Sequence, residues 1–173
     1  FSKRKGELIT LEELLKAVGL DVMRYFYLTK SLESSMVFDL NLAREQSQKN
    51  PVFYIQYAYA RINSILAKSE MKPKYKILSA KLELLNHPSE LRLIKQLIRF
   101  PEIIEDTVND YQVHRLTKYV FDVASLFHRF YQDCRVLGAE KDLSKARLAL
   151  VLATKIILEE CLELLGISKP KRM

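Results

Sequence analysis

The sequence predicts an all-α protein, a helical bundle, on three observations. Apolar residues recur at intervals of three and four through residues 41–173. No stretch sustains the alternation of apolar and polar residues that a half-buried strand requires. Only 4 Gly and 5 Pro occur among 173 residues, too few turn formers for a fold of many short strands. Hydrophobic residues make up 49% of the chain, enough to bury a sizeable core in one domain.

The elements follow in order. Thr10 and Glu13 form a capping box, so a first short helix runs from about Leu11 to Ala17 and stops at Gly19. Asp21 is placed as the cap of a second helix, ending at Leu28. Ser31 to Phe38 reads as a loop, with Asp39 as cap of a third short helix. Asn50-Pro51 is a start signal of N-cap followed by Pro at the first helical position, for a helix reaching about Lys68. Met71 to Tyr75 is a connector. Helices are predicted at about 77–86, 88–99 and 101–110, then a long one from Val113 to Val136. After a break at Gly138 to Asp142, a last helix occupies Leu143 to Leu165, ended by Gly166. Residues 1–50 read as a separate small module and residues 51–173 as the bundle.

Charge is unevenly spread. The chain has 28 Lys+Arg against 21 Asp+Glu, a net +7. Residues 51–100 hold 9 basic and 3 acidic residues, nearly all of the excess. That asymmetry suits a polyanionic partner, because each cation set on a phosphate releases condensed counterions; a solvated basic surface is the alternative. No apolar run reaches the roughly 18 residues that span a bilayer, so no membrane partner is expected. Cys134 and Cys161 match no metal or redox spacing, which suggests a reducing, cytoplasmic setting. The opening Phe-Ser-Lys-Arg-Lys-Gly lacks Met and predicts a piece of a longer protein.

The helix that starts at Pro51 has two faces. At about 100° per residue, Val52, Ile55, Tyr59, Ile62 and Leu66 share the core side. Tyr54, Tyr57, Arg61 and Lys68 fall on the opposite side, which predicts two tyrosines and an arginine together on the solvent face. Aromatic rings beside a guanidinium are a platform for unpaired bases, which stack for about 1–3 kcal/mol each. Two other readings stay open: a neighbouring helix covers both faces, or the patch binds a protein partner. The long helix carries an apolar stripe of Leu116, Val120, Val123, Phe127, Phe130, Cys134 and Leu137, with Tyr131 and Arg135 at its edge and His128 beside it. The last helix is apolar nearly all round its middle, through Leu148, Val151, Ile156, Ile157 and Cys161, and is expected to be the most buried.

Catalytic signatures are missing. His87, His114 and His128 show no metal-ligand spacing, so no metal is expected, and no P-loop, nucleophile elbow or Gly-x-Gly-x-x-Gly is present. Glu159, Glu160 and Glu163 read as a solvated strip. The chain alone is expected to be inactive as an enzyme.

Several motifs nevertheless resemble one family. Ser2-Lys3-Arg4-Lys5-Gly6 with Ile9-Thr10-Leu11 resembles the signature loop that ends the catalytic domain of class I aminoacyl-tRNA synthetases. Gly19-x-Asp21-x-x-Arg24-Tyr25-Phe26 resembles the helix that follows it. Phe38-Asp39-Leu40, the block Asn50-Pro51-x-x-Tyr54-x-Gln56-Tyr57-Ala58-x-Ala60-Arg61, Ala146-Arg147-Leu148 and the terminal Lys171-Arg172-Met173 resemble arginyl-tRNA synthetases in particular. The resemblance implies a stem-contact segment with the end of the signature loop in residues 1–50, and a helical anticodon-binding domain in 51–173. It implies that the longer protein is an enzyme, an arginine–tRNA ligase, which would use arginine and ATP with Mg in an upstream domain; the fragment itself would hold no cofactor. Lys3 would act as a catalytic residue by stabilising charge on the ATP phosphates. Tyr54, Tyr57, Arg61, Tyr131, Arg135 and Met173 would grip the anticodon loop of arginine tRNA, whose middle base is cytosine. A cytoplasmic monomer is expected. The rival from another class is a helical protein-interaction module using the Tyr54/Tyr57/Arg61 face.

Overall fold

A computed structural model describes residues 10–31, 33–69 and 80–173. The elements are α1 (Leu11–Val18), α2 (Leu20–Leu28), α3 (Leu40–Arg44), α4 (Pro51–Lys68), a 3₁₀ turn at Leu82–Leu84, α5 (Pro88–Ile98), α6 (Phe100–Asp110), α7 (His114–Asp133) and α8 (Lys141–Leu164). No strand occurs among the described residues, so the all-α reading stands.

Local chemistry sets most boundaries where the sequence placed them. Thr10 and Glu13 close a reciprocal capping box, and Gly19 at φ 81° ends α1. Asn50 caps α4 through Val52 N–H at 3.0 Å, while its amide donates to the carbonyls of Ala43 and Glu45 at 3.1 and 3.0 Å. Asn50 is buried, so one side chain both starts α4 and fixes the end of α3 beneath it. Pro88 opens α5, where His87 and Glu90 form a second capping box.

Three expectations need correction. Asp21 does not cap α2: the helix begins at Leu20, after Gly19, which offers no side chain, and Asp21 lies inside the first turn. The stretch at 77–86 is helical only as the turn Leu82–Leu84 among its described residues, and the connector at 71–75 lies outside them. The last helix is apolar nearly all round its middle but not buried all round it, since Ile156 is 52% exposed.

The core is formed by α4, α7 and α8, with α5 and α6 packed on α7. Val52, Ile55, Tyr59 and Ile62 meet Val120, Val123, Phe127 and Phe130 of α7 and Val151, Leu158 and Leu162 of α8, all buried. Leu66 and Leu137 are only partly buried at the edge of this cluster. Tyr25 of α2 joins it and donates to the Thr117 carbonyl at 3.1 Å. Glu159 is drawn out of the expected solvated strip by Tyr59, whose hydroxyl donates to it at 3.2 Å, and Glu163 pairs with Lys169 at 2.6 Å.

Candidate functional site

α4 and α7 lie side by side, and residues of both line a groove. Tyr54, Tyr57 and Arg61 come from α4, and Ser125, His128, Arg129 and Tyr131 from α7, around a cavity of about 560 Å³. A second cavity of about 450 Å³ lies along the same helices toward the C-terminal end of α4. Tyr57, Arg61 and Tyr131 line it again, with Lys68, Leu137, Arg172 and Met173. The three shared residues form the partition between the two.

That partition is a stack. The Arg61 guanidinium carbon sits 4.9 Å from the Tyr57 ring centroid and 5.1 Å from that of Tyr131. Cation–π attraction at such range is worth about 0.5–1 kcal/mol per ring when exposed, more when water is excluded. Arg61 also donates to the Tyr57 hydroxyl. The spacing of four between Tyr57 and Arg61 brings them onto one face of α4, and α7 supplies the third layer.

The tyrosines do not stand free in solvent. Tyr54, Tyr57 and Arg61 are half-buried, because α7 lays His128 and Phe121 against them. The His128 ring lies 4.5 Å from Tyr54 and 5.6 Å from Tyr57, the latter nearly parallel at 23°. Its Nε2 donates to the Tyr54 carbonyl at 3.4 Å. Burial holds His128 below its ordinary value of 6.5, and the positive charge of Arg61 pushes the same way against that hydrogen bond. The ring is therefore neutral at pH 7 and serves as a flat packing surface. The sequence sets His128 beside the core stripe of α7, but its contact with Tyr54 and Tyr57 comes from a helix 74 residues away.

The six expected contact residues separate into groups. Tyr54, Tyr57, Arg61 and Tyr131 share the first cavity, and Met173 joins Tyr57, Arg61 and Tyr131 in the second. Arg135 is not in either. It lines a third depression with Tyr131 and turns back so that its Nε donates to the Leu137 carbonyl at 3.2 Å. Lys3 lies outside the described residues.

The C-terminal tail reaches the groove under restraint. Ser168 N–H donates to Asp21 at 3.1 Å, and Gln56 Nε2 donates to Asp21 at 2.9 Å and to the Ser168 carbonyl at 3.1 Å. Arg24 donates to the Gly166 carbonyl. Asp21, mistaken for a cap, thus ties α2 and α4 to the segment that ends in Met173. Groove cations come from several elements, namely Arg61 and Lys68 of α4, Arg129 of α7 and Arg172 of the tail. Among the described residues no group of His, Cys, Asp or Glu could hold a metal, and no helix is long and apolar enough to cross a membrane.

The sequence model described as the DALR anticodon binding domain matches residues 55–173. The arginine–tRNA ligase of Moorella thermoacetica is 49% identical over 174 residues, covering 99% of this chain and 31% of that protein. That of Caldanaerobacter subterraneus is 48% identical with the same coverage. The solved arginyl-tRNA synthetase of Thermus thermophilus superposes with a TM-score of 0.75 at 27% identity, over 99% of this chain and 29% of that one. The chain spans about a third of the length of these relatives.

Proposed function

Because the chain belongs to the DALR anticodon binding domain family, we propose that its groove holds the anticodon loop of an arginine tRNA. On this reading the chain is the C-terminal part of an arginine–tRNA ligase. The observation that carries the reading is the Tyr57–Arg61–Tyr131 stack between two adjoining cavities. A loop base that has left its own stack finds there aromatic faces, guanidinium donors and walls already in place.

The roles divide by chemistry. Tyr54, Tyr57 and Tyr131 offer stacking surfaces to splayed-out bases, and Arg61 offers directional donors to base edges or phosphate. Met173 closes the second cavity with an apolar, adaptable side chain. Lys68, Arg129 and Arg172 face the backbone phosphates, and Arg135 stands at the margin. The basic third of the chain extends the field that draws the RNA in. The middle cytosine shared by arginine anticodons is the base such a site would discriminate, through its Watson–Crick edge. Residues 1–50 would meet the tRNA stem, and residues 51–173 the anticodon. Arginine, ATP and Mg would bind in the part of the ligase that this chain does not span, with Lys3 reaching the ATP phosphates there. The ligase would work as a cytoplasmic monomer.

The test is the affinity of the chain for arginine tRNA and for a non-cognate tRNA, each across a salt series. A steep salt dependence with a cognate preference that vanishes when the middle anticodon C is replaced is the expected result. A steep dependence without preference would leave a basic RNA-binding bundle and overturn the anticodon reading. A folded chain that binds no RNA would favour a protein partner.

A further inference from the structure

A buried ion pair lies behind the groove rather than in it. Glu90 of α5 has no exposed surface, and the Arg147 side chain on α8 is 13% exposed. Arg147 Nε donates to Glu90 Oε1 at 2.7 Å, while the other carboxylate oxygen accepts the His87 backbone N–H at 2.9 Å. Arg147 then reaches further, with Nη1 donating to the carbonyl of Arg135 at 2.9 Å. The next two carbonyls are held as well. Ser144 Oγ donates to Val136 O at 2.7 Å, and Arg135 Nε to Leu137 O at 3.2 Å. Three successive carbonyls in a non-helical stretch are thus each fixed by a side chain. Gly138 follows at φ 77°, with the Arg135 guanidinium 3.1 Å from where a Cβ would stand.

Such a pair adds little to folding, because the cost of desolvating both charges roughly cancels their attraction. Its geometry, by contrast, is exacting: the planar fork meets a carboxylate with one edge and a specific carbonyl with another. We propose that Glu90 and Arg147 are positioning residues that fix the backbone of 134–137 and so hold Tyr131 and Leu137 on the groove wall, with Arg135 at its margin. The inference rests on the reading of that groove as an RNA site.

The experiment replaces both partners by apolar residues of similar bulk, Glu90→Leu with Arg147→Met, in the full chain. The probe is the anticodon stem-loop of an arginine tRNA. The melting temperature should stay within about 4 °C of the parent or rise, while affinity falls about tenfold. In an Arg135→Ala, Tyr131→Ala background the same replacement should cost less than about twofold more, because the wall it acts through is gone. Arg147→Lys, which keeps the charge but not the fork, should speed amide exchange at 134–138 without unfolding the chain. Parental affinity in the folded double variant, or a loss undiminished in the alanine background, would overturn the proposal. Tyr57→Ala is the control: if it too binds like the parent, the RNA reading itself has failed. Exchange at 134–138 then decides the structural part alone, faster exchange supporting the pinned loop and unchanged exchange refuting it.

Discussion

Removing the Tyr57 ring is the most direct probe of the groove. That ring lines both cavities, lies 5.6 Å from His128 and 4.9 Å from the Arg61 guanidinium, and runs almost parallel to Phe53 at 6°. Tyr57→Ala deletes one stacking platform, worth about 1–3 kcal/mol per base, or about 5- to 150-fold in affinity. Tyr57→Phe keeps the ring and loses only the hydroxyl bonded to Arg61, so its cost should stay near 1 kcal/mol. Because the ring is half-buried, Tyr57→Ala should lower stability by less than the ~3–5 kcal/mol of a fully buried aromatic, which a thermal melt checks. Fluorescence anisotropy with a labelled anticodon stem-loop across a salt series separates two kinds of contact. Tyr57→Ala should displace the line of log affinity against log salt without changing its slope. Arg61→Ala should flatten the slope by about 0.7 if the guanidinium meets a phosphate of the unpaired loop. A folded Tyr57→Ala variant that matches the parent at every salt concentration, or loses as much on plain duplex RNA, would refute the stacking argument.

Three other outcomes follow from the same geometry. His128 is held below 6.5 by burial, so on acidification the unfolded chain takes up its proton first; urea stability should drop as pH falls below about 6.5 and level off once the folded ring protonates, and His128→Gln should remove that segment of the profile. Cys134 is pushed up to about 11 by burial and the nearby Glu90 carboxylate, and Cys161 to about 12 by burial, so neither should react with a thiol reagent at pH 8 until urea unfolds the chain, and fast labelling of the native protein would contradict this packing. Asn50→Ala removes one cap bond and two carbonyl bonds and should cost about 2–3 kcal/mol in denaturant titrations; Asn50→Asp, which keeps the cap but faces two carbonyls with a carboxylate, should be no better, and parental stability in it would show that the cap alone matters.

What the sequence disclosed and what it withheld divide along the range of the interactions. Thr10 with Glu13, Asn50 with Pro51, and Gly166 at φ 65° act within one helical turn, so residue type and spacing were enough to place them. The same holds for the core stripe of α7, where the period of the apolar residues already selects the buried face. Asp21 was misread because the local signal for a cap is also the signal for any acidic residue in a first turn; its partners, Ser168 and Gln56, are remote in sequence. Glu90 and Arg147 gave no local sign of being a pair, and neither period nor composition brings residues 57 apart together. Periodicity set Tyr54, Tyr57 and Arg61 together on the side of α4 opposite its core stripe, but their half-burial depends on where α7 crosses, which one helix cannot report.

That half-burial strengthens the functional argument rather than weakening it. A free-standing tyrosine would have to be ordered when a base arrived, and the lost rotamer freedom would subtract from the stacking gain. Here Tyr54 and Tyr57 are already held against His128, Arg61 is already held between Tyr57 and Tyr131, and Tyr131 packs on Phe127 at 6.3 Å. Behind them, Ser168, Asp21 and Gln56 restrain the tail that carries Met173, and Glu90 with Arg147 restrains the loop that carries Arg135. On the proposed reading these side chains are pre-packed on the protein side, so the conformational cost of recognition would fall chiefly on the RNA, whose loop bases would have to leave their stack. A rigid site can reject a wrong base because it cannot adapt to it, so discrimination at the middle anticodon position should grow with the integrity of this scaffold. Variants that loosen the wall should narrow the gap between cognate and altered stem-loops before they abolish binding, as titrations of both RNAs against each variant would reveal.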